Sequence, residues 1–245
     1  MNTLVLIPCR LSATRLPGKP LLKINGLSMI SHVFNKAKDA NLGEVFVATE
    51  DQEIFDEVKK NGGQAIMTSN EHKTGTDRIY EAIKKLDMKN IELIMNLQGD
   101  EPLMDVDDIK NLNQRMINSN SDIGTLASKI TEKKRYQDTN IVKVTTEKSL
   151  DESFFPSAVN FSRKINQINK NIYHHLGIYC NRLKALESFV SFEQSANEIK
   201  EKLEQLRALD NNIKINVALA KSAPIGVDTQ EDFIAIKKIM EYKSK

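Results

Sequence analysis

Arg10, Arg15 and Lys19 fall within ten residues of one another, on a stretch punctuated by Pro8, Pro17-Gly18 and Pro20. Two guanidinium forks and an ammonium at that spacing suit a polyanion such as a triphosphate. An ordinary solvated basic loop would look the same. Asp100 follows Gly99 at the end of the apolar run 91–97. A carboxylate there could hold a divalent cation while the glycine lets a phosphate or sugar approach the backbone. A turn or helix-cap aspartate is the competing account. Asp228 sits in a related setting, after Gly226 and ahead of a helical pattern, although Asp-Thr also commonly starts helices. If the fold brings Asp100 and Asp228 together, capping no longer suffices. Two carboxylates would then hold one or two hard divalent cations against phosphate oxygens.

Other polar groups divide less sharply. Thr74 to Arg78 could line a nucleotide, but Thr76 is also a plausible helix cap and Arg78 could equally pair with surface carboxylates. His72 has little supporting context and stays outside the candidate site. His174 and His175 are adjacent on a strand, so only one can face a given pocket. His175 shares alternation parity with Tyr179, which favours it for a polar sugar pocket; two partly exposed strand histidines are the alternative. Glu204, Gln205 and Arg207 lie in a helical pattern and could be surface groups. Cys9 adjoins the basic loop and reads as packing.

These residues need elements to position them. Residues 4–7 form a short apolar strand bounded by Pro8. Met29, Ile30, Val33, Phe34 and Ala37 recur at helical spacing, 44–49 reads as a strand, and Asp51 could cap a helix bearing Ile54, Phe55 and Val58. Residues 65–67 are a third strand, 79–86 a helix, and 91–97 the best candidate for a central strand. The strand–helix alternation with short links implies a parallel sheet covered by helices. The half has neither a GxGxxG fingerprint nor a GxxxxGK[ST] loop, which argues against ordinary dinucleotide and P-loop sites. From about 125 the rhythm changes. Strands at 125–130, 141–145, 158–161 and 172–179 are joined by polar links, with 165–171 exposed; helices at 183–192 and 198–209, a strand at 213–220 and a terminal helix follow. The expected division is 1–124 for a nucleotide-binding α/β portion, 125–212 for a smaller mixed-sheet insertion, and 213–245 for a return to the core.

The bulk numbers bound the class. A chain of 245 residues with 40% apolar content can bury a full core. A net charge of +2 and 6% aromatic content give little reason to expect a nucleic-acid polymer as partner. Two cysteines make neither a disulfide scaffold nor a zinc cluster. No apolar run reaches membrane-spanning length and no signal-peptide pattern appears at the start, so a soluble cytoplasmic protein is expected.

Taken in order, the motifs resemble those of the 3-deoxy-manno-octulosonate (KDO) cytidylyltransferase family. The most specific is Arg10-Leu11-Ser12-Ala13-Thr14-Arg15-Leu16-Pro17-Gly18-Lys19-Pro20-Leu21. It is joined by Thr74-Gly75-Thr76-Asp77-Arg78, Asn96-Leu97-Gln98-Gly99-Asp100-Glu101-Pro102, Asn160-Phe161-Ser162-Arg163, His175-Leu176-Gly177-Ile178-Tyr179, Leu203-Glu204-Gln205-Leu206-Arg207 and Gly226-Val227-Asp228-Thr229. The resemblance implies an α/β, GT-A-like nucleotidyltransferase fold, usually homodimeric, that joins CTP to KDO with release of diphosphate for lipopolysaccharide synthesis. It implies that Arg10, Arg15 and Lys19 bind the phosphates, with Thr74, Arg78 and Gln98 on the nucleotide side and Lys19, Asp100 and Asp228 as catalytic groups. Asp100 and Asp228 would hold Mg2+, while Gln98, Arg163, His175, Tyr179, Glu204 and Gln205 would shape the sugar-acid pocket. The sequence departs from the family pattern at Cys9, where alanine is common, and in two proline-poor stretches, 162–167 and 192–198. Those stretches flank the sugar side, so 8-amino-KDO or another 2-keto-3-deoxy acid such as sialic acid is the alternative acceptor. A non-enzymatic nucleotide sensor would keep the basic loop but has no use for the two aspartates and residues 175–179.

Overall fold

A computed structural model describes residues 1–12, 15–151, 153–165, 168–221, 223–224 and 226–243. The chain begins with β1 (Asn2–Cys9), a small hairpin of β2 (Lys23–Ile24) and β3 (Leu27–Ser28), and α1 (Met29–Asp39). There follow β4 (Val45–Thr49), α2 (Gln52–Lys60), β5 (Ala65–Met67), α3 (Gly75–Leu86), β6 (Ile91–Asn96) and α4 (Val106–Ile117). Next come β7 (Ile123–Ser128), β8 (Lys143–Thr146), β9 (Ala158–Ser162) and β10 (Ile172–Arg182). The chain ends with α5 (Leu183–Ser191), α6 (Ala196–Glu201), α7 (Gln205–Asp210), β11 (Ile215–Leu219) and α8 (Gln230–Lys243). It forms two compact units: residues 2–109 with 224 onward, and Met1 with 110–223.

In the first unit the strands lie in the order β6-β1-β4-β5, all parallel. Leu4, Val5, Leu6 and Ile7 of β1 are wholly buried, the near-continuous apolar run expected of a parallel strand covered on both faces. Parallel strands need crossovers, and α1, α2 and α3 supply them. The consequence for function is positional. The polar stretches after β1, β4, β5 and β6 all emerge at the carboxyl end of the sheet, where open α/β sheets bind ligands. The turn before β4 passes so close to β1 that a Cβ on Gly43 would lie 1.9 Å from the Thr3 carbonyl oxygen.

The second unit is a mixed sheet. β7 pairs antiparallel with β10 and parallel with β11, while β8 pairs antiparallel with both β10 and β9. α4 lies tight on β7: a Cβ on Gly124 would come 2.7 Å from the Met116 sulfur and 3.0 Å from a Leu112 methyl. That packing and the β7–β11 ladder place α4's second half and β11 in this unit. The compact units therefore divide at 109/110 and 223/224, differently from the portions 1–124, 125–212 and 213–245 read from sequence rhythm.

The helix expected at 198–209 is two helices. Lys202 adopts a left-handed φ of 54° and ends α6, and Glu204 begins α7. Ser195 and Glu198 form a reciprocal capping box that starts α6. The Glu198 carboxylate also takes two hydrogen bonds from Arg207, at 2.8 and 2.7 Å, and both side chains are almost fully buried. The Arg207 guanidinium lies 4.5 Å over the Phe189 ring. Burial raises the Glu198 carboxyl, but the bonds from Arg207, Gln194 and Ser195 outweigh it and hold the pKa below its ordinary value. This pair fixes α7 and hence Glu204 and Gln205 at its start.

Arg207→Ala strands the Glu198 charge in the interior, and the expected loss is about 3–5 kcal/mol of stability. Urea unfolding measures it. The double variant Glu198→Leu, Arg207→Met removes both charges and is expected to be more stable than Arg207→Ala alone; equal or lower stability would show that the penalty does not come from the stranded charge.

Candidate functional site

The basic loop after β1 is built before any ligand arrives. The Leu11 N–H donates to the Asp51 carboxylate at 2.7 Å, pinning the start of the loop to the tip of β4. Asp51 stands at the start of α2, but its carboxylate makes no capping bond there; the loop takes it instead. At the far end Gly18, with φ +69°, turns the chain into a single 3-10 turn over Lys19–Leu21. Two residues of the motif, Ala13 and Thr14, lie outside the described residues.

Lys19 points inward from that turn. Its side chain is only 14% exposed, and its Nζ donates to Asp100 Oδ2 at 2.5 Å, to the Val227 carbonyl at 2.8 Å and to Asp228 Oδ1 at 3.5 Å. Arg15 meets the other Asp228 oxygen at 2.8 Å. A backbone bond from Val227 N–H to the Asp100 carbonyl, 2.9 Å, ties the two aspartate-bearing loops together. Asp228 does not cap α8: that helix is capped by Thr229 and Asp232, whose side chains bond each other and the neighbouring amides. Asp228 is released from that work. So is Asp100, whose carboxylate meets a lysine rather than a helix end.

Pro8, Arg10, Arg15, Lys19, Gln98, Asp100 and Asp228 line one cavity of about 390 Å³ with residues 72–75 on its other wall. That volume lies in the range of small-molecule sites. The carboxylate set suits a hard divalent cation such as Mg2+, which is usually held by one or two carboxylates plus substrate phosphate and water. The neighbouring Glu101 makes the electrostatic case. Its buried Oε2 has no hydrogen-bond partner among the described residues, and burial, then Asp100 and Asp228, push its carboxyl up to about 8 against the opposing pull of Lys19. The field of the two aspartates is thus felt at Glu101, although Lys19 and Arg15 pair with them. Among the described residues no group of three or more His, Cys, Asp or Glu side chains gathers as a protein-only metal cage. A two-carboxylate site that shares its cation with a bound phosphate is the arrangement these residues fit.

The opposite wall differs from expectation in its details. Thr74, not Thr76, caps α3: its hydroxyl accepts from Asp77 N–H at 3.2 Å and donates to Asp77 Oδ2 at 2.8 Å. Arg78 touches the cavity but is buried. One guanidinium nitrogen donates to Thr68 Oγ1 and to the Ser69 carbonyl, and another to Glu50. Arg78 thereby locks the tips of β4 and β5, and its contribution to the pocket is a braced wall. His72, which sequence reasoning left out, lines the pocket and bonds Glu81 through Nε2. Glu81 also accepts from Ser69 N–H at 2.8 Å and pairs with Lys85 at 2.7 Å. Burial raises this carboxyl, but Lys85, His72 and Ser69 bring it down to about 2. No sequence signal links His72 to Glu81, because their spacing spans a loop and a helix start.

The residues expected on the sugar side, Arg163, His175, Tyr179, Glu204 and Gln205, belong to the second unit. His175 and Tyr179 do lie together, with ring centroids 5.5 Å apart, across a bulge in the β10–β7 register. His175 is a packed residue: its ring meets the Phe161 edge at 4.9 Å and its Nε2 lies 3.0 Å from Thr125 Oγ1. Burial, then His174, lower its pKa to about 3, so it stays neutral. Arg163 donates to the Thr139 carbonyl at 3.2 Å. A residue missed in sequence, Lys143, is wholly buried beside it and donates to the Asp138 and Arg163 carbonyls at 2.5 and 2.9 Å.

The cytidylyltransferase family matches residues 4–215. A 3-deoxy-manno-octulosonate cytidylyltransferase of Afipia carboxidovorans is 43% identical over 98% of this chain and 97% of its own length. One of Bartonella tribocorum is 41% identical over 98% and 99%. A solved structure of CMP:2-keto-3-deoxy-manno-octonic acid synthetase complexed with CTP matches 99% of this chain and all of its own, at 33% identity and a TM-score of 0.89. The family match over most of the chain, the identities above 40% across nearly full length and the TM-score of 0.89 lead to one conclusion: the chain belongs to the 3-deoxy-manno-octulosonate cytidylyltransferase family.

Proposed function

We propose that this protein transfers the cytidylyl group of CTP to the anomeric 2-hydroxyl of KDO, forming CMP-KDO and diphosphate. The observation that carries the reading is the position of Lys19, whose ammonium serves Asp100 and Asp228 at once in a cavity also lined by Arg10 and Arg15. Transfer to an alcohol requires a nucleophile to approach a highly charged triphosphate. The sugar hydroxyl oxygen forms the new bond to the α-phosphorus, and the bond from that phosphorus to the diphosphate oxygen breaks. Mg2+ held by Asp100 and Asp228 would neutralise phosphate charge and acidify the attacking hydroxyl. Arg10, Arg15 and Lys19 bind the triphosphate and stabilise the charge that builds on the departing diphosphate. Thr74 and Arg78 brace the nucleotide wall, and Gln98 sits at the cavity beside Asp100. Arg163 offers a cation suited to the acid's carboxylate, with His175, Tyr179, Glu204 and Gln205 as the other acceptor-side groups. No covalent enzyme intermediate is needed. The setting that follows from this chemistry is lipopolysaccharide precursor synthesis in the cytoplasm by a homodimer.

A product assay with CTP, Mg2+ and a panel of KDO, 8-amino-KDO and sialic acid tests the reading. KDO is expected to give the highest kcat/KM; product with none of the three acids would refute the transfer reading. Asp100→Asn and Asp228→Asn are each expected to lower kcat at least about a hundredfold. Their thermal melts should stay near the parent's, and a collapse of the melt instead would make the aspartates structural. Lys19→Met is expected to raise KM for CTP and lower kcat together, and unchanged CTP kinetics would remove it from the site. EDTA should abolish product formation and added Mg2+ should restore it; full turnover in EDTA would exclude the divalent cation.

A further inference from the structure

The strand order of the first unit sets a direction across the cavity. β1, whose loop carries Arg10, Arg15 and Lys19, has β6 and the Asp100 loop on one side. On its other side come β4 and then β5, whose following loop carries His72. A nucleotide whose triphosphate lies at Lys19 and Asp100 can reach the residues that follow β5 with its nucleoside, since both sets line the same cavity. His72 lines that wall of the same cavity.

The orientation of the His72 ring follows from its partner. Glu81 is held ionised by three donors, Ser69 N–H, Lys85 and His72 itself. A carboxylate accepts only, so the ring nitrogen facing it, Nε2, carries the proton. In the neutral ring the other nitrogen, Nδ1, is then an acceptor. Glu81 is the only hydrogen-bond partner of His72 among the described residues. A neutral His72 ring in this place offers one acceptor, with its tautomer set by a fixed carboxylate.

We propose that His72, oriented by Glu81, is a base-selecting residue that accepts a hydrogen bond from the exocyclic amine of cytosine through Nδ1. Cytosine and uracil differ at that position: one presents an amine donor and the other a carbonyl acceptor. An acceptor on the wall attracts the first and repels the second. The inference rests on the proposed use of CTP and adds the residue that rejects UTP.

The test is calorimetric binding of CTP and of UTP, each with Mg2+, to the full chain and to His72→Ala and His72→Asn. The parent should prefer CTP. The preference should fall roughly three- to tenfold in His72→Ala, the worth of one hydrogen bond. His72→Asn, whose amide oxygen can stand in for Nδ1, should recover most of it. A merely structural role would weaken both nucleotides alike and leave their ratio unmoved. Equal parent affinity for the two nucleotides, or a ratio unchanged within twofold in His72→Ala, would overturn the proposal. Product formation on the same preparations separates the two readings. A parent that makes product while the ratio stays fixed loses only the role of His72. A ratio that collapses in a protein making no product from any acid keeps that role and loses the transfer.

Discussion

One ammonium facing two carboxylates organises the first unit. Asp100 and Asp228 are far apart in sequence and carry like charges, so bringing them together costs free energy unless a cation lies between them. Lys19 supplies it, largely shielded from water, and adds a bond to the Val227 carbonyl. The loop that carries Lys19 has to be rigid for this to work, which gives a physical reason for the Leu11–Asp51 bond and the left-handed turn at Gly18. The neighbouring Glu101 feels the same two aspartates, which add to burial in raising its carboxyl.

Functional carboxylates are available because other groups do the ordinary structural work. Thr229 and Asp232 cap α8, which leaves Asp228 to face Lys19. Thr74 and Asp77 cap α3, which leaves Glu81, further along that helix, to hold Ser69 and His72. Arg78 is spent on Glu50, Thr68 and Ser69, so the cavity keeps a firm wall where strands β4 and β5 end. The sequence left capping and pairing open at these positions for one reason. Local patterns report which residues are able to cap or to pair, and tertiary neighbours decide which of the able residues is used.

The parallel sheet, its helices and the cation-bearing loop were legible in the sequence because each rests on local periodicity or turn chemistry. The partnership of Asp100 with Asp228 was legible only as a condition, since no local signal measures a distance between loops. The single helix expected at 198–209 failed at Lys202, where a left-handed backbone is imposed on a residue that is a good helix former. Lys143 was hidden for a related reason. Lysine reads as a wet residue, yet here it is wholly buried and its ammonium ends on two carbonyls. His72 and Glu81 could not be joined at all, because nothing in sequence places a loop histidine beside a helix glutamate.

Cys9 shows how a departure from a family pattern can be absorbed. Burial, then Asp100 and Asp51, drive its thiol well above the ordinary range, so it stays protonated and has no nucleophilic role. Its bulk has a steric consequence instead. A Cβ on Gly99 would sit 3.3 Å from the Cys9 sulfur, with Ile30 equally close and the Pro8 carbonyl at 3.4 Å. A larger residue at position 99 would therefore press on β1 or push Asp100 away from Lys19. The Cys9 sulfur and the Gly99 backbone pack closely, so position 99 has little room for a side chain. The glycine before Asp100 is thus explained by packing beneath the pocket, and this requirement holds whether or not a ligand approaches the backbone from above.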